Sequence, residues 1–215
     1  IRVRIRWLEF RRVLFRSKVM AQGFDGVYMD IIDAFEYYEQ QGMEDAAERM
    51  VAFVVAISSY AKAKIPHFLI VPQNGEAIAK FANYLAVVDG IGREDVYYMD
   101  NTRNNAEEVD YVLDFLAMFL AAKKFVLEIE YPTFFYAVDA CYHFAAEHGF
   151  LCYVGPRELD KINEFFGYSL NWTFLYILFT FCIIMPHDFT LTQKPDSAID
   201  YVKHKILKGI AFLNG

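Results

Sequence analysis

Short apolar runs alternate with longer amphipathic stretches along most of this chain. The apolar runs predict strands, because most are bounded by Pro, Gly or polar residues: 24–29, 67–72, 87–91, 125–131 and 150–154. The stretches between them have helical spacing of apolar residues: 33–62 with a break at Gly42, 75–86, 105–122 and 133–148 with Gly149 just past its end. Strands that alternate with helices are typical of a parallel sheet covered by helices.

The spacing of the strands predicts the kind of sheet. From Gly26 to Leu151 the repeat is about 31 residues, the size of a βαβ unit. A closed barrel has eight such units, and only residues 1–22 precede the first strand. We therefore expect an α/β fold of the (β/α)8 TIM-barrel type, truncated to its last five βα units, strands four to eight. The alternative is an open doubly wound sheet, but no Gly-rich phosphate loop follows the first strand to favour it.

The two ends of the chain do not follow this repeat. We divide the sequence into a basic segment at 1–18 that is foreign to the pattern, a partial barrel domain at 19–165, and a C-terminal extension at 166–215 of unassigned role. The apolar run at 172–185 is shorter than the roughly 20 residues that a spanning helix needs. Its aromatic and β-branched content favours a buried strand over a membrane segment.

Composition and charge exclude several classes of protein. Apolar residues make up 56% of the chain, which excludes a disordered protein. The formal net charge of -7 includes a compact basic group at the start: Arg2, Arg4, Arg6, Arg11, Arg12, Arg16 and Lys18. The remainder is strongly acidic and repels nucleic acid and anionic membranes, so we expect neither as a partner.

The cysteines and the opening residues do not indicate a particular function. Cys141, Cys152 and Cys182 lack metal-binding spacing, and an odd number cannot pair fully within one chain, so we expect buried thiols. The basic opening has no continuous apolar segment of the signal-peptide kind. No G-x-S-x-G or paired Cys and His signature supports a nucleophilic Ser or Cys.

Candidate functional residues follow the predicted strands, whose carboxyl ends meet at one edge of a parallel sheet. They are acidic, amide, aromatic and basic side chains: Asp30, Gln73, Asn74, Arg93, Glu94, Asp95, Glu130, Tyr131, Tyr153 and Arg157. Asp30 and Glu94 lie on alternate strands, an arrangement that suits paired-carboxylate cleavage of a glycosidic bond. Two alternatives stay open: Asp30 as a cap of the next helix, and Asp95 in place of Glu94 after a one-residue change of register.

Acidic side chains at this edge of the sheet are also candidate metal ligands. Five carboxylates are candidate oxygen ligands for a hard cation: Asp30, Asp33, Asp89, Glu94 and Asp95. No His falls among them, and the five His of the chain show no ligand spacing. We therefore expect no metal and no other cofactor.

Five motifs make the chain recognisable as a whole. They are GFDGVYMDIIDAFEYYE at 23–39, VPQNGE at 71–76, DGIGREDVYY at 89–98, LEIEYP at 127–132 and GFLCYVGPRELDKI at 149–162. In this order they resemble the endo-α-1,4-polygalactosaminidase family of glycoside hydrolases, family 114. The resemblance covers roughly residues 19–165, and the family includes barrel proteins formerly mislabelled as cysteinyl-tRNA synthetases.

The resemblance implies a (β/α)8 barrel that cleaves α-1,4-linked galactosamine-containing polysaccharide by a retaining mechanism. It implies that Asp30 is the nucleophile and Glu94 the general acid and base, with carboxyl groups about 5–5.5 Å apart. Tyr97, Tyr98 and Tyr131 are candidates for an aromatic wall that raises the pKa of Glu94. We expect the substrate-binding residues to be Asp33, Gln73, Asn74, Tyr98, Glu130, Tyr131, Tyr153 and Arg157.

Other functions remain compatible with the same motifs. The first is a catalytically inactive barrel that binds carbohydrate, and the second is a barrel hydrolase that acts on a different glycan. The partner in each case is a polysaccharide. The family resemblance implies an extracellular or cell-envelope location, and the oligomeric state is left open.

Overall fold

The computed structural model describes residues 20–21 and 23–159 and the backbone of 181–184. Strands and helices alternate along them: β1 (Gly26–Met29), α1 (Ala34–Gln40), α2 (Ala46–Lys64), β2 (Leu69–Pro72), a 3₁₀ helix (Glu76–Lys80), α3 (Ala82–Leu85), β3 (Gly90–Glu94), β4 (Tyr98–Met99), β5 (Thr102–Arg103), α4 (Ala106–Ala121), β6 (Phe125–Glu130), α5 (Phe135–His148), β7 (Leu151–Val154) and β8 (Phe181–Ile184). α4 begins where the Asn105 side chain accepts the N–H of Glu107 at 2.9 Å. α5 ends at Gly149, whose left-handed φ of 75° is favourable for glycine, as predicted.

Parallel pairing joins the longer strands in chain order. β1 pairs with β2, β3 pairs with β6, and β6 pairs with β7. A parallel bridge between Gln73 and Gly92 connects these two groups. β4 and β5 form a separate antiparallel hairpin. The predicted α/β fold with parallel strands is therefore confirmed, and β1 to β7 lack the reversal of strand order that defines a doubly wound sheet.

The two faces of the sheet have different surroundings. On the inner face, alternate side chains pack against each other across the strands: Tyr28, Val71, Leu127, Ile129, Tyr131 and Tyr153. On the outer face, residues such as Val27, Ile70, Ile91 and Val126 join the main core with the helices. Helices on one face and strand-to-strand packing on the other are what a barrel wall shows. The described strands do not close into a complete barrel.

The third strand begins later than predicted. β3 spans Gly90–Glu94 rather than the predicted 87–91, and Glu94 is its last residue. Asp89 anchors this start, because its carboxylate accepts the N–H of Ile70 at 2.8 Å and pairs with Lys62 Nζ at 2.8 Å. The β4–β5 hairpin was not predicted, since two-residue strands carry no periodic signal.

Part of the C-terminal apolar run lies within the described residues. Its segment Phe181–Ile184 forms β8, parallel to β1, in agreement with the predicted strand. The basic segment 1–18 and the rest of the extension lie outside the described residues. Cys141 and Cys152 are buried free thiols, as predicted. None of the described helices has the length and apolar composition needed to cross a membrane.

Candidate carboxylate site

Asp30 follows β1 directly and is half-buried. One of its carboxylate oxygens accepts the N–H of Ile31 at 2.7 Å. Ile31 has a φ of 61°, a left-handed conformation that costs energy for a β-branched residue and that is often associated with functional sites. The N-cap of α1 is Asp33, which makes no side-chain cap bond. The alternative that Asp30 caps this helix is therefore wrong.

Glu94 lies at the end of β3 and accepts hydrogen bonds from three side chains. The hydroxyl of Tyr131 donates to Oε1, and the amide of Gln73 donates to Oε2. Asn74 Nδ2 also donates to Oε2, at 3.3 Å. Both carboxylate oxygens are thus engaged, which fixes the position of the carboxylate. The sequence-predicted residues Gln73, Asn74 and Tyr131 meet here at one carboxylate.

Backbone hydrogen bonds hold the two amides in place. The N–H of Gln73 donates to the carbonyl of Met29 at 2.8 Å, and that of Asn74 donates to the carbonyl of Gly92 at 2.8 Å. Asn74 Oδ1 accepts the N–H of Glu94 at 3.2 Å. The segment after β2 therefore bridges the strands that carry Asp30 and Glu94.

Tyr28 lies between the two acids on the inner face and was not predicted as a site residue. Burial, and next the charges of Glu94 and Asp30, raise the pKa of its phenol. Its hydroxyl is buried without a hydrogen-bond partner. A Cβ added to Gly92 would collide with this hydroxyl, so Gly92 makes room for the ring. The β1 alternation, which puts Tyr28 and Asp30 on one side, was the sequence signal for this residue.

Asp95, which the sequence offered as an alternative to Glu94, binds a different partner. Arg157 binds its two oxygens with Nη1 at 3.1 Å and Nη2 at 2.9 Å. Arg157 also donates to Asp100 at 2.8 Å and stacks 4.2 Å from the ring centre of Tyr131. The structure thus brings Arg157 to the edge of the site, where it packs on a residue that holds Glu94.

Glu130 and Tyr98, both predicted to bind substrate, are not brought to Glu94. Glu130 is fully buried on the outer face, where its carboxylate accepts the N–H groups of Tyr97 at 2.7 Å and Tyr98 at 3.3 Å. Tyr98 packs in the main core. The hydroxyl of Tyr97 contacts His148 Nδ1 at 3.1 Å on α5. Of the three tyrosines expected beside Glu94, Tyr131 contacts it, whereas Tyr97 and Tyr98 pack in the main core. Strand alternation is the reason, because Glu130 follows an inner-face residue, Ile129.

Tyr153 and Asp33, both predicted to bind substrate, have different surroundings. Tyr153 is buried in the inner-face cluster, so its ring is a wall rather than an open platform. Asp33 lines an open cavity of about 660 Å³ beside β3. The cavity has a mostly acidic rim: Asp33, Glu36, Glu76, Asp95, Glu107 and Glu108. Arg93 is its basic side chain and pairs with Glu76 at 3.1 Å.

Burial raises the pKa of two predicted site acids, Asp30 and Asp33. Burial raises the pKa of Asp30, an effect that the Ile31 N–H opposes and the charge of Asp33 increases. Burial also raises the pKa of Asp33. Over the part of the chain that the structure describes, no group of three or more His, Cys, Asp or Glu side chains is arranged to hold a metal ion.

Comparison with known proteins places the chain in a family. The model of glycoside-hydrolase family GH114 matches residues 12–171. The chain belongs to this family. The resemblance predicted from the five motifs is therefore confirmed.

Curated relatives of this GH114 chain are themselves uncharacterised. An uncharacterised protein from Deinococcus radiodurans is 37% identical over 68% of this chain and 47% of its own length. The protein MJ1477 from Methanocaldococcus jannaschii is 30% identical over 76% of this chain and 52% of its own length. The chain thus spans about half the length of the curated relatives it matches.

A solved structure supports the fold. The glycoside hydrolase domain of PelA from Pseudomonas aeruginosa superposes with a TM-score of 0.50 and 16% identity. The alignment covers 66% of this GH114 chain and 57% of the PelA domain. A variant of the PelA domain gives the same TM-score.

Proposed function

We propose that this GH114 chain carries the two-carboxylate site of a retaining, endo-acting glycoside hydrolase that cleaves α-1,4-linked galactosamine-containing polysaccharide. The observation that carries the proposal is Glu94, held by three donors at the end of β3 on the same face as Tyr28. The strands β1, β2, β3, β6 and β7 correspond in this proposal to strands four to eight of a (β/α)8 barrel. An extracellular or cell-envelope location remains a prediction from the family resemblance.

Asp30 acts as nucleophile in the proposed reaction. Its carboxylate attacks the anomeric carbon while the bond to the leaving sugar breaks, and Glu94 gives its proton to the leaving oxygen. Glu94 then takes a proton from water, whose oxygen displaces Asp30 from the anomeric carbon. Gln73, Asn74 and Tyr131 hold Glu94, while Asp33 and Arg157 border the space where sugar hydroxyls bind.

The contacts also support exchanged roles for the two acids. Glu94 is held by three side-chain donors, as a nucleophile must be held in place, whereas burial raises the pKa of Asp30, as a general acid requires. A 5-fluoro galactosaminyl substrate, which keeps the amino group at C2 and traps the covalent intermediate, distinguishes the two assignments. An ester on Asp30 in peptide mass mapping supports the first assignment, and an ester on Glu94 supports the exchange.

The acidic cavity supports the choice of substrate. A galactosamine polymer with free amino groups is cationic, and a strongly acidic body attracts such a polymer and repels anionic glycans. Asp33 and Glu36 on the cavity rim lie beside the segment that holds Glu94.

Hydrolysis is tested with galactosamine oligosaccharides. The wild-type chain should release new reducing ends, and Asp30→Asn and Glu94→Gln should each stop the release while leaving the circular dichroism spectrum unchanged. Release that survives both substitutions would contradict the two-carboxylate assignment. Binding without release by the wild-type chain would favour the carbohydrate-binding barrel, and release from another glycan alone would replace the substrate.

A further inference from the structure

The aromatic residues that the sequence offered as sugar platforms have little free surface. Tyr98 is 5% exposed, Tyr131 4% and Tyr153 7%. One ring face of Tyr131 is also covered by Arg157. A sugar ring stacks on an accessible aromatic face, so these three side chains cannot provide a stacking platform in this conformation.

Exposed aromatic surface is present a few residues beyond Tyr131. Phe134 is 54% exposed, Phe135 68% and Tyr136 62%. We call these three residues the aromatic ledge. The rings of Phe134 and Tyr136 lie 5.8 Å apart with an interplanar angle of 38°. Three consecutive exposed aromatic side chains form a contiguous apolar patch, and large exposed apolar patches mark sites of interaction.

The position of the ledge connects it to the carboxylate site. Tyr131 donates its hydroxyl to Glu94, and Phe134 follows three residues later. Three residues span at most about 11 Å of extended chain, so the Cα atom of Phe134 lies within that distance of the Cα atom of Tyr131. The ledge therefore begins beside the site and continues away from it along the first turn of α5.

Asn101, in the turn between β4 and β5, holds the start of the ledge. Its Oδ1 accepts the N–H groups of Thr133 at 2.8 Å and Phe134 at 2.9 Å. Its Nδ2 donates to the Thr133 hydroxyl at 3.0 Å. The backbone under Phe134 is thus fixed although its ring is exposed, and a fixed aromatic surface loses little entropy when a ligand binds.

We propose that the aromatic ledge of Phe134, Phe135 and Tyr136 is a polysaccharide subsite that stacks sugar rings next to the carboxylate site. A pyranose ring has an apolar C–H face that matches a phenyl or phenol ring, and the acidic body of the chain disfavours polyanionic ligands. The occupant is the polymer that the site cleaves, so the inference rests on the proposed function for the identity of the sugar. A ledge of this kind favours long chains over short oligosaccharides.

Binding measurements test the ledge without requiring hydrolysis. The test protein is the Glu94→Gln chain, and the probes are galactosamine oligosaccharides of two and eight units. Phe134→Ala, Phe135→Ala and Tyr136→Ala together should weaken binding of the longer probe about tenfold and change binding of the shorter probe little. The control is Tyr37→Ala with Tyr38→Ala, another exposed and mutually packed pair, which should leave both affinities unchanged.

Asn101→Ala provides a second variant that keeps all three rings. It should reduce affinity for the longer probe several-fold, because the ledge loses its anchor to Thr133 and Phe134. Equal binding of the longer probe by the parent and the ledge variant overturns the proposal, as does absence of binding by the parent. If the parent chain is dimeric in sedimentation and the ledge variant is monomeric, the ledge joins two copies instead, and the proposal is also overturned.

The two proposals fail in different ways. Ledge-dependent binding without any release of reducing ends by the wild-type chain would remove the hydrolase assignment and leave the subsite in place. Release with the same KM for long substrates in wild-type and ledge-variant chains would remove the subsite and leave the hydrolase.

Discussion

Glu94 and Glu130 end neighbouring parallel strands, yet they have different environments. Glu94 is half-buried beside the inner face, where three side chains donate to its carboxylate. Glu130 is fully buried on the outer face, where its acceptors are used by two backbone N–H groups of the loop after β3. The register pairs Glu94 with Ile129, one residue before Glu130.

The comparison of Glu94 with Glu130 shows that neither burial nor position at a strand end places an acid in the candidate site. Side chains alternate across a strand, so a shift of one residue moves a carboxylate from the site into the core. Glu130 instead supports the site indirectly, because the loop that it holds leads directly from Glu94. The predictions below separate these two functions.

The largest expected effect is on catalysis. Glu94→Gln should lower kcat about 10²–10⁴-fold, since the amide cannot exchange the proton that the reaction needs. Thermal unfolding should change little, because Gln still accepts from Tyr131 or from the amides. Reducing-end release at saturating substrate measures the first quantity and calorimetry the second. A large loss of stability with kcat unchanged would reverse the comparison.

Substitution of Glu130, the acid in the core, should lower the stability of the fold rather than kcat. Glu130→Gln should lower the free energy of unfolding by about 1–3 kcal/mol, because the amide has one acceptor oxygen in place of two and leaves a buried N–H group without a partner. Denaturant unfolding measures this value. The matched control is Glu128→Gln, two residues earlier on the same face. Burial and then the charge of Glu130 raise the pKa of Glu128, so the neutral amide of Gln in its place should cost little. Equal losses in the two variants would contradict this account.

Gly92→Ala should lower the free energy of unfolding by about 1–3 kcal/mol, because the new methyl group overlaps the ring of Tyr28. Denaturant unfolding of both chains gives the difference. The test of the cause is the same substitution in a Tyr28→Leu background, where the shorter side chain should reduce the cost. A cost that is identical in both backgrounds would show that Tyr28 is not the obstacle.

The pH dependence of stability gives the most specific effect. Burial raises the pKa of Glu130 from 4.5 to about 7, against the opposing hydrogen bond from Tyr97. Between these two values the folded chain binds more protons than the unfolded chain, so this group makes stability fall as pH rises from about 4.5 to about 7. Unfolding midpoints across this range should show the fall in wild type and a weaker fall in Glu130→Gln. Parallel curves would assign the titration to another group.

Several elements were predictable because the sequence patterns that indicate them involve residues close together in the chain. The helices at 106–121 and 135–148 have apolar spacing and clear ends, and both lie within two residues of their predicted bounds. Gln73 and Asn74 were predicted as site residues because they follow a strand, and they do meet Glu94. Tyr28 was missed because a tyrosine in an apolar run looks like an ordinary core residue.

The sequence by itself determined the α/β pattern and the family, since the alternation and each of the five motifs depend on residues near one another in the chain. The tertiary structure decided which acids share a space: Glu94 with Tyr131 and the two amides, Asp95 with Arg157, and Glu130 with backbone N–H groups. The physical reason for the difference between Glu94 and Asp95 is the position at which β3 starts. Asp89 fixes that start through Ile70 and Lys62, on two other elements, and the register that follows selects the face on which each later side chain lies.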